Sequence, residues 1–279
     1  MKTLTQGFFT GERALFNSRG LKIYDSTFAD GESPLKESGD IELYGSIFKW
    51  KYPLWYCKDV KAFDSVLLET ARSGIWYTHN ISMENCVIEA PKTFRRSSHI
   101  SLSDSTMSNA KETLWNCSDV TLTRVSAAGD YFGMGCENVR ADKLTIDGNY
   151  AFDGGKNIEI KNSRLISKDA FWNCENVTVT DSVIIGEYLG WNSKNVTLIN
   201  CTIESNQGMC YMDGVKLVNC KLLNTDLAFE FSTVDAEVTT EIDSVKNPIS
   251  GKIRAKAIRE LILEPTQIDP DKTEIITEK

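Results

Sequence analysis

The chain has 279 residues, of which 25% are charged and 10% aromatic, and carries a formal net charge of −8. This composition is ample for one core, and the acidic balance excludes a strongly basic protein, so nucleic acid is not an expected partner. No apolar run approaches a transmembrane span, and the opening MKTLTQGFFTGERALF lacks the apolar centre of a signal peptide, so a cytoplasmic protein with no membrane partner is expected.

In chain order, residues 1–12 read as an N-terminal cap and 13–235 as regular coils. Residues 236–265 read as irregular C-terminal coils or a cap, and 266–279 as a charged tail. The regular part repeats about every nineteen residues. An apolar anchor, position zero, falls at Leu21, Ile41, Val60, Ile81, Ile100, Val120, Val139, Ile158, Val177, Val196 and Val215. A fixed period of this size means a stacked solenoid.

Position +2 is again apolar (Ile23, Leu43, Met83, Leu102, Val179), and the residue between is polar (Lys22, Glu42, Ser82, Ser101, Thr178). That in–out–in alternation is a strand. Apolar residues recur at +7 (Phe28, Phe48, Ile88, Leu165), which indicates a second short strand, and at −6 (Leu35, Leu54, Phe94, Phe171), which indicates a third. Asn and Asp fill positions −1 (Asp59, Asn80, Asn157, Asn176, Asn195) and +4 (Asp25, Asp64, Asn162, Asn200). These residues tolerate left-handed backbone angles, so both positions are corners, and stacked Asn side chains can form an amide ladder. The expectation is an all-β, single-stranded right-handed parallel β-helix of about twelve coils, stacked at roughly 4.8 Å.

The cysteines fit the same register. Cys57, Cys117, Cys136 and Cys174 share position −3, and Cys86, Cys201 and Cys220 share +5. Ser alternates with Cys in both slots, so small buried thiols are expected rather than disulfides or a metal site. Cys210 falls at −5, among residues expected to face outward. His79 and His99 fall at corners. No metal or cofactor is expected.

Position −5 is not required for the core, yet it carries Trp55, Trp76, Arg95, Trp115, Met134, Asp153, Trp172 and Trp191. The flanking positions −8 and −9 carry Lys92, Glu112, Asp130, Tyr131, Tyr150, Asp169 and Glu187. Large rings on one outward face imply a ligand or partner surface, or a homo-oligomer interface. A groove of rings, amides and charges suits an oligosaccharide. The candidate binding residues are Trp55, Trp76, Lys92, Arg95, Glu112, Trp115, Tyr131, Tyr150, Trp172, Glu187 and Trp191. Asp153 interrupts the rings, and with Asp130 and Asp169 it forms the candidate catalytic group, since paired carboxylates about 5–9.5 Å apart cleave glycosides. Lys92, Arg95 and Arg96 are an alternative centre that could grip an anionic sugar.

The segments GERALF (11–16), DGESPLK (30–36), KWKYPLWYC (49–57), EAPKTFRR (89–96), KDAFWNCENV (168–177) and AFEFSTVDAE (228–237) resemble the DUF3737 family of uncharacterised bacterial proteins. The resemblance spans about residues 7–265 and implies a pectin-lyase-like right-handed β-helix. It transfers no catalytic residues. Two functions stay open: a glycoside hydrolase or polysaccharide lyase, and a non-catalytic scaffold whose Trp stripe binds glycan or protein or supports the structure.

Overall fold

The computed structural model describes residues 1–278. The fold is an all-β parallel β-solenoid of about 15 turns. The described helices are two short 3-10 turns, Glu69–Ala71 and Pro270–Lys272. The chain forms two compact units, Met1–Thr145 and a second that begins at Ile146.

In the first unit the anchors pair in register, Ile41 with Val60, Val60 with Ile81, Ile81 with Ile100, Ile100 with Val120, and Val120 with Val139. The stack also runs one rung earlier, because Lys2–Thr5 pairs with Arg19–Tyr24 through Lys2 and Leu21. In the second unit Val177, Val196, Val215, Val234, Gly251 and Thr273 stand in one column. The count exceeds the expected twelve because these terminal rungs do not keep the apolar signature. From Val234 to Gly251 is 17 residues and from Gly251 to Thr273 is 22. Gly251 takes the anchor place because a Cβ there would lie 1.9 Å from the Val234 carbonyl oxygen at φ +120°.

Positions zero, +2 and +7 point inward. Ile23, Leu43, Phe48, Leu67, Val179 and Leu198 are almost wholly buried. Identical positions on successive coils stack like on like, as with Phe28 and Phe48, whose rings lie 4.6 Å apart at 3°.

Each regular coil turns at four corners, two more than the Asn and Asp pattern displays. One coil of the second unit has left-handed backbone at Asp169, Asn173, Asn176 and Asp181, which are positions −8, −4, −1 and +4. At −8 and −4 the same φ is imposed on Tyr52, Tyr56, Tyr77, Tyr150 and Tyr188. The cost of left-handed backbone at residues with a full side chain is met by coil-to-coil hydrogen bonds such as Tyr56 N–H to the Trp76 carbonyl at 2.9 Å. The third side, expected as a strand, is therefore mostly a pair of turns. Its paired strands are Ile75–Trp76 and Phe94–Arg95.

Amide ladders form at several corners. Asn195 donates to Asn176 and Asn176 to Asn157, both at 3.1 Å. Asn219 donates to Asn200 and Asn200 to Asp181, both at 2.9 Å.

All eight cysteines are free and buried. The −3 slot asks for more than small size. Cys57 donates its thiol to the Leu35 carbonyl (3.1 Å), Ser97 its hydroxyl to Ile75 (3.1 Å), and Cys174 its thiol to Phe152 (2.9 Å). Each acceptor is the −6 residue of the preceding coil, a buried carbonyl that would otherwise lose a partner. Cys210, expected outward, is buried at 1% exposure, because its thiol turns toward the Leu227 carbonyl of the next coil at 3.4 Å.

Candidate functional site

The aromatic register behaves differently in the two units. In the first, Trp55 and Trp76 stack at 5.1 Å and 8°. The Arg95 guanidinium carbon lies 4.7 Å from the Trp76 ring and 4.5 Å from the Trp115 ring. The sequence Trp–Trp–Arg–Trp is thus a closed ladder whose inner faces are covered. The indole N–H groups are also used. Trp55 donates to the Ser73 carbonyl, Trp76 to Lys92 at 2.9 Å and Trp115 to Tyr131 at 2.8 Å. Each indole therefore braces the −8 corner of the next coil.

The basic residues close on the same ladder. Lys92 Nζ lies 2.9 Å and Arg95 Nη2 3.6 Å from Glu112 Oε2. Tyr131 meets Trp115 edge-on at 6.4 Å and 81°. The Asp130 carbonyl accepts the Glu112 backbone N–H at 2.9 Å. Arg96 is exposed at a left-handed corner. Little apolar ring face is left for a sugar in this cluster.

In the second unit the rings diverge. Trp172 leans toward Tyr150, at 5.8 Å and 39°. Trp191 stacks on Tyr211 at 4.5 Å and meets Tyr188 edge-on at 5.6 Å and 79°. The divergence opens a pocket of about 300 Å³ lined by Tyr150, Lys168, Asp169, Trp172, Tyr188, Trp191 and Gln207. The hydrogen bonds of the first unit's indoles have no counterpart here: among the described residues, neither Trp172 nor Trp191 donates its N–H to a protein acceptor.

Asp169 enters this pocket from a −8 corner and is only 7% exposed. Burial pushes its carboxyl up to about 6; Lys168 opposes the rise, while Asp153 and Glu187 add to it. Among the described residues no protein donor reaches that carboxyl. Lys168 Nζ lies 3.5 Å from Glu187 and 5.2 Å over the Tyr188 ring. Asp153 does not line the pocket. Its carboxylate accepts from Asn173 at 3.2 Å, the first step of a −4 ladder that continues from Asn192 to Asn173 at 2.8 Å.

The pocket thus gathers Tyr150, Asp169, Trp172 and Trp191 from the sequence candidates, with Glu187 and Asp153 at its edge. Lys168, Tyr188 and Gln207 are additional lining residues. They share the −8 and −9 registers, but the repeat alone offers no reason to prefer them over their equivalents on other coils. Among the described residues no group of three His, Cys, Asp or Glu side chains could hold a metal ion, and no helix is long and apolar enough to cross a membrane.

No curated protein matches the chain. Among solved structures, a mutant tailspike protein of E. coli bacteriophage HK620, in complex with a hexasaccharide, is 8% identical. The alignment covers 94% of this chain and 68% of that one, with a TM-score of 0.42. The A-module of the Azotobacter vinelandii mannuronan C-5 epimerase AlgE4 is 9% identical, covering 98% and 88%, with a TM-score of 0.31. PfbA, a surface adhesin of Streptococcus pneumoniae, is 10% identical, covering 92% and 71%, with a TM-score of 0.25. Likenesses of this degree carry no information about the site. The family match is of a different order: it extends over residues 2–276, and the chain belongs to DUF3737, described as a protein of unknown function.

Proposed function

We propose that the second-unit pocket binds carbohydrate. The observation that carries this reading is the contrast between units: three indoles of the first spend their N–H on backbone, while Trp172 and Trp191, which have no protein acceptor for theirs among the described residues, line one pocket with Asp169. A sugar ring presents an apolar C–H face and a polar hydroxyl edge. Four aromatic side chains meet the former, and two indole donors, the Gln207 amide and Asp169 meet the latter. A pocket of about 300 Å³ stands at the small end of ligand sites, so the reading is a single sugar or a chain end rather than a long polymer.

A second reading, glycoside cleavage, is favoured by the raised carboxyl of Asp169. A carboxyl that titrates near 6 is suited to protonating a leaving-group oxygen, and Asp153 would supply the second carboxylate. The hydrogen bond from Asn173 to Asp153 ties that second group into a structural ladder, which favours binding over turnover.

A glycan panel read by tryptophan fluorescence, with product assay on every binder, tests both. Binding abolished in Trp172→Ala and retained in Trp76→Ala supports the pocket. Turnover that vanishes in Asp169→Asn supports the enzyme. If no glycan changes the fluorescence, the carbohydrate reading fails.

A further inference from the structure

The first unit contains a worked example of what this register holds. Arg95 lies between two indoles at 4.7 and 4.5 Å, and the −8 carboxylate of Glu112 stands 3.6 Å from its guanidinium. Rings at −5 with a carboxylate at −8 therefore make a cation site, by attraction to the ring faces and by charge pairing. The second unit carries the same two registers, with Trp172 and Trp191 at −5 of successive coils and Asp169 at −8; the two rings turn to Tyr150 and Tyr211, and among the described residues no side-chain cation lies over either indole.

Charges around the pocket point the same way. Asp153 and Glu187 are the acids that act on Asp169 from nearby, and Lys168 is the base that opposes them. Lys168 is engaged by Glu187 at 3.5 Å and by the Tyr188 ring. That leaves the Asp169 carboxylate, on a residue mostly withdrawn from water, with no hydrogen-bond donor from the protein among the described residues. A neutral ligand would deepen the isolation of that carboxylate. A cationic one would relieve it.

We propose that the sugar taken by the pocket is an amino sugar, whose protonated amine occupies between Trp172, Trp191 and Asp169 the place that Arg95 holds among Trp76, Trp115 and Glu112. This rests on the carbohydrate reading above. It also separates the two forms of that reading: an ammonium against Asp169 holds the carboxyl ionised, so Asp169 pairs with this ligand rather than protonating it.

The test is calorimetric titration of the full chain at pH 7 with disaccharides of glucosamine and galactosamine. Their N-acetylated forms, their plain hexose equivalents and tetramethylammonium are titrated in parallel. The expected result is at least about tenfold tighter binding of an amino form than of its acetylated and hexose counterparts. Asp169→Asn, whose Asn tolerates the left-handed corner, should bring the amino form down to the level of the neutral ones. Equal binding of amino and neutral forms overturns this inference and leaves the carbohydrate reading standing. Binding of tetramethylammonium with no sugar bound, or of none of the probes, overturns both.

Discussion

Replacing Asp169 with Asn should make the protein more stable at neutral pH and leave it unchanged in acid. The residue is 7% exposed, and burial holds its carboxyl at about 6 against an ordinary value of 3.8. A group whose folded value is raised favours the folded state fully below its ordinary value and loses that advantage as pH rises through the folded one. Asp169 thus weighs against folding above about pH 6. The full difference corresponds to about 3 kcal/mol, and solvent at the pocket mouth reduces it to about 1.5 kcal/mol. Asn has nearly the same shape, accepts φ of 51° and never ionises. Lys168, Asp153 and Glu187 are present in both proteins, so their own titration largely cancels in the difference. Thermal unfolding followed by circular dichroism at pH 4 and pH 7.5 reads the effect. For a chain of this length about 1.5 kcal/mol raises the midpoint by about 3 °C at pH 7.5, with no rise at pH 4. An equal shift at both pH values, or a lower midpoint at pH 7.5, would refute the claim that a buried, unpaired carboxylate strains this pocket.

Arg95→Ala should cost about 2 kcal/mol through loss of two ring contacts and the Glu112 pair, whereas Arg96→Ala, at an exposed corner, should cost less than about 0.5 kcal/mol; equal denaturation midpoints for the two variants would contradict the closed ladder. Asn176→Ala removes two ladder bonds and strains a left-handed corner, for about 2 kcal/mol, and Asn176→Gly should recover about half of it. Thiol titration should detect all eight cysteines after unfolding without reductant and almost none in the native protein; four or fewer after unfolding would mean disulfides. Gly251→Ala should lower the unfolding midpoint sharply, since its Cβ would meet the Val234 carbonyl at 1.9 Å; an unchanged midpoint would mean that the rung is not packed as described.

The nineteen-residue register was legible in the sequence because coil stacking repeats one environment at every rung. Whatever sits at zero, +2 or +7 faces the core on every regular coil, and the −1 and +4 corners take Asn or Asp for backbone reasons that are local. Rungs at Gly251 and Thr273 escaped that reading because changed loop lengths and close backbone approach erase the apolar anchor while the hydrogen-bond column continues. The donor role of the −3 slot was hidden for a similar reason: a Cys on paper is a small hydrophobe, and only the position of the Leu35 or Phe152 carbonyl makes it a donor.

The −5 stripe marks the boundary most clearly. Its composition was evident from the repeat, but Trp55, Trp76 and Trp115 look the same in sequence as Trp172 and Trp191. Whether a ring stacks on its neighbour or swings away depends on what the adjoining coils offer: Arg95 fills the gap between Trp76 and Trp115, while Tyr150 and Tyr211 draw Trp172 and Trp191 apart. That divergence opens the pocket and leaves two indole donors unspent. The rings around it withdraw Asp169 rather than Asp153 from water, because desolvation is a property of everything that surrounds a group and not of its place in a repeat.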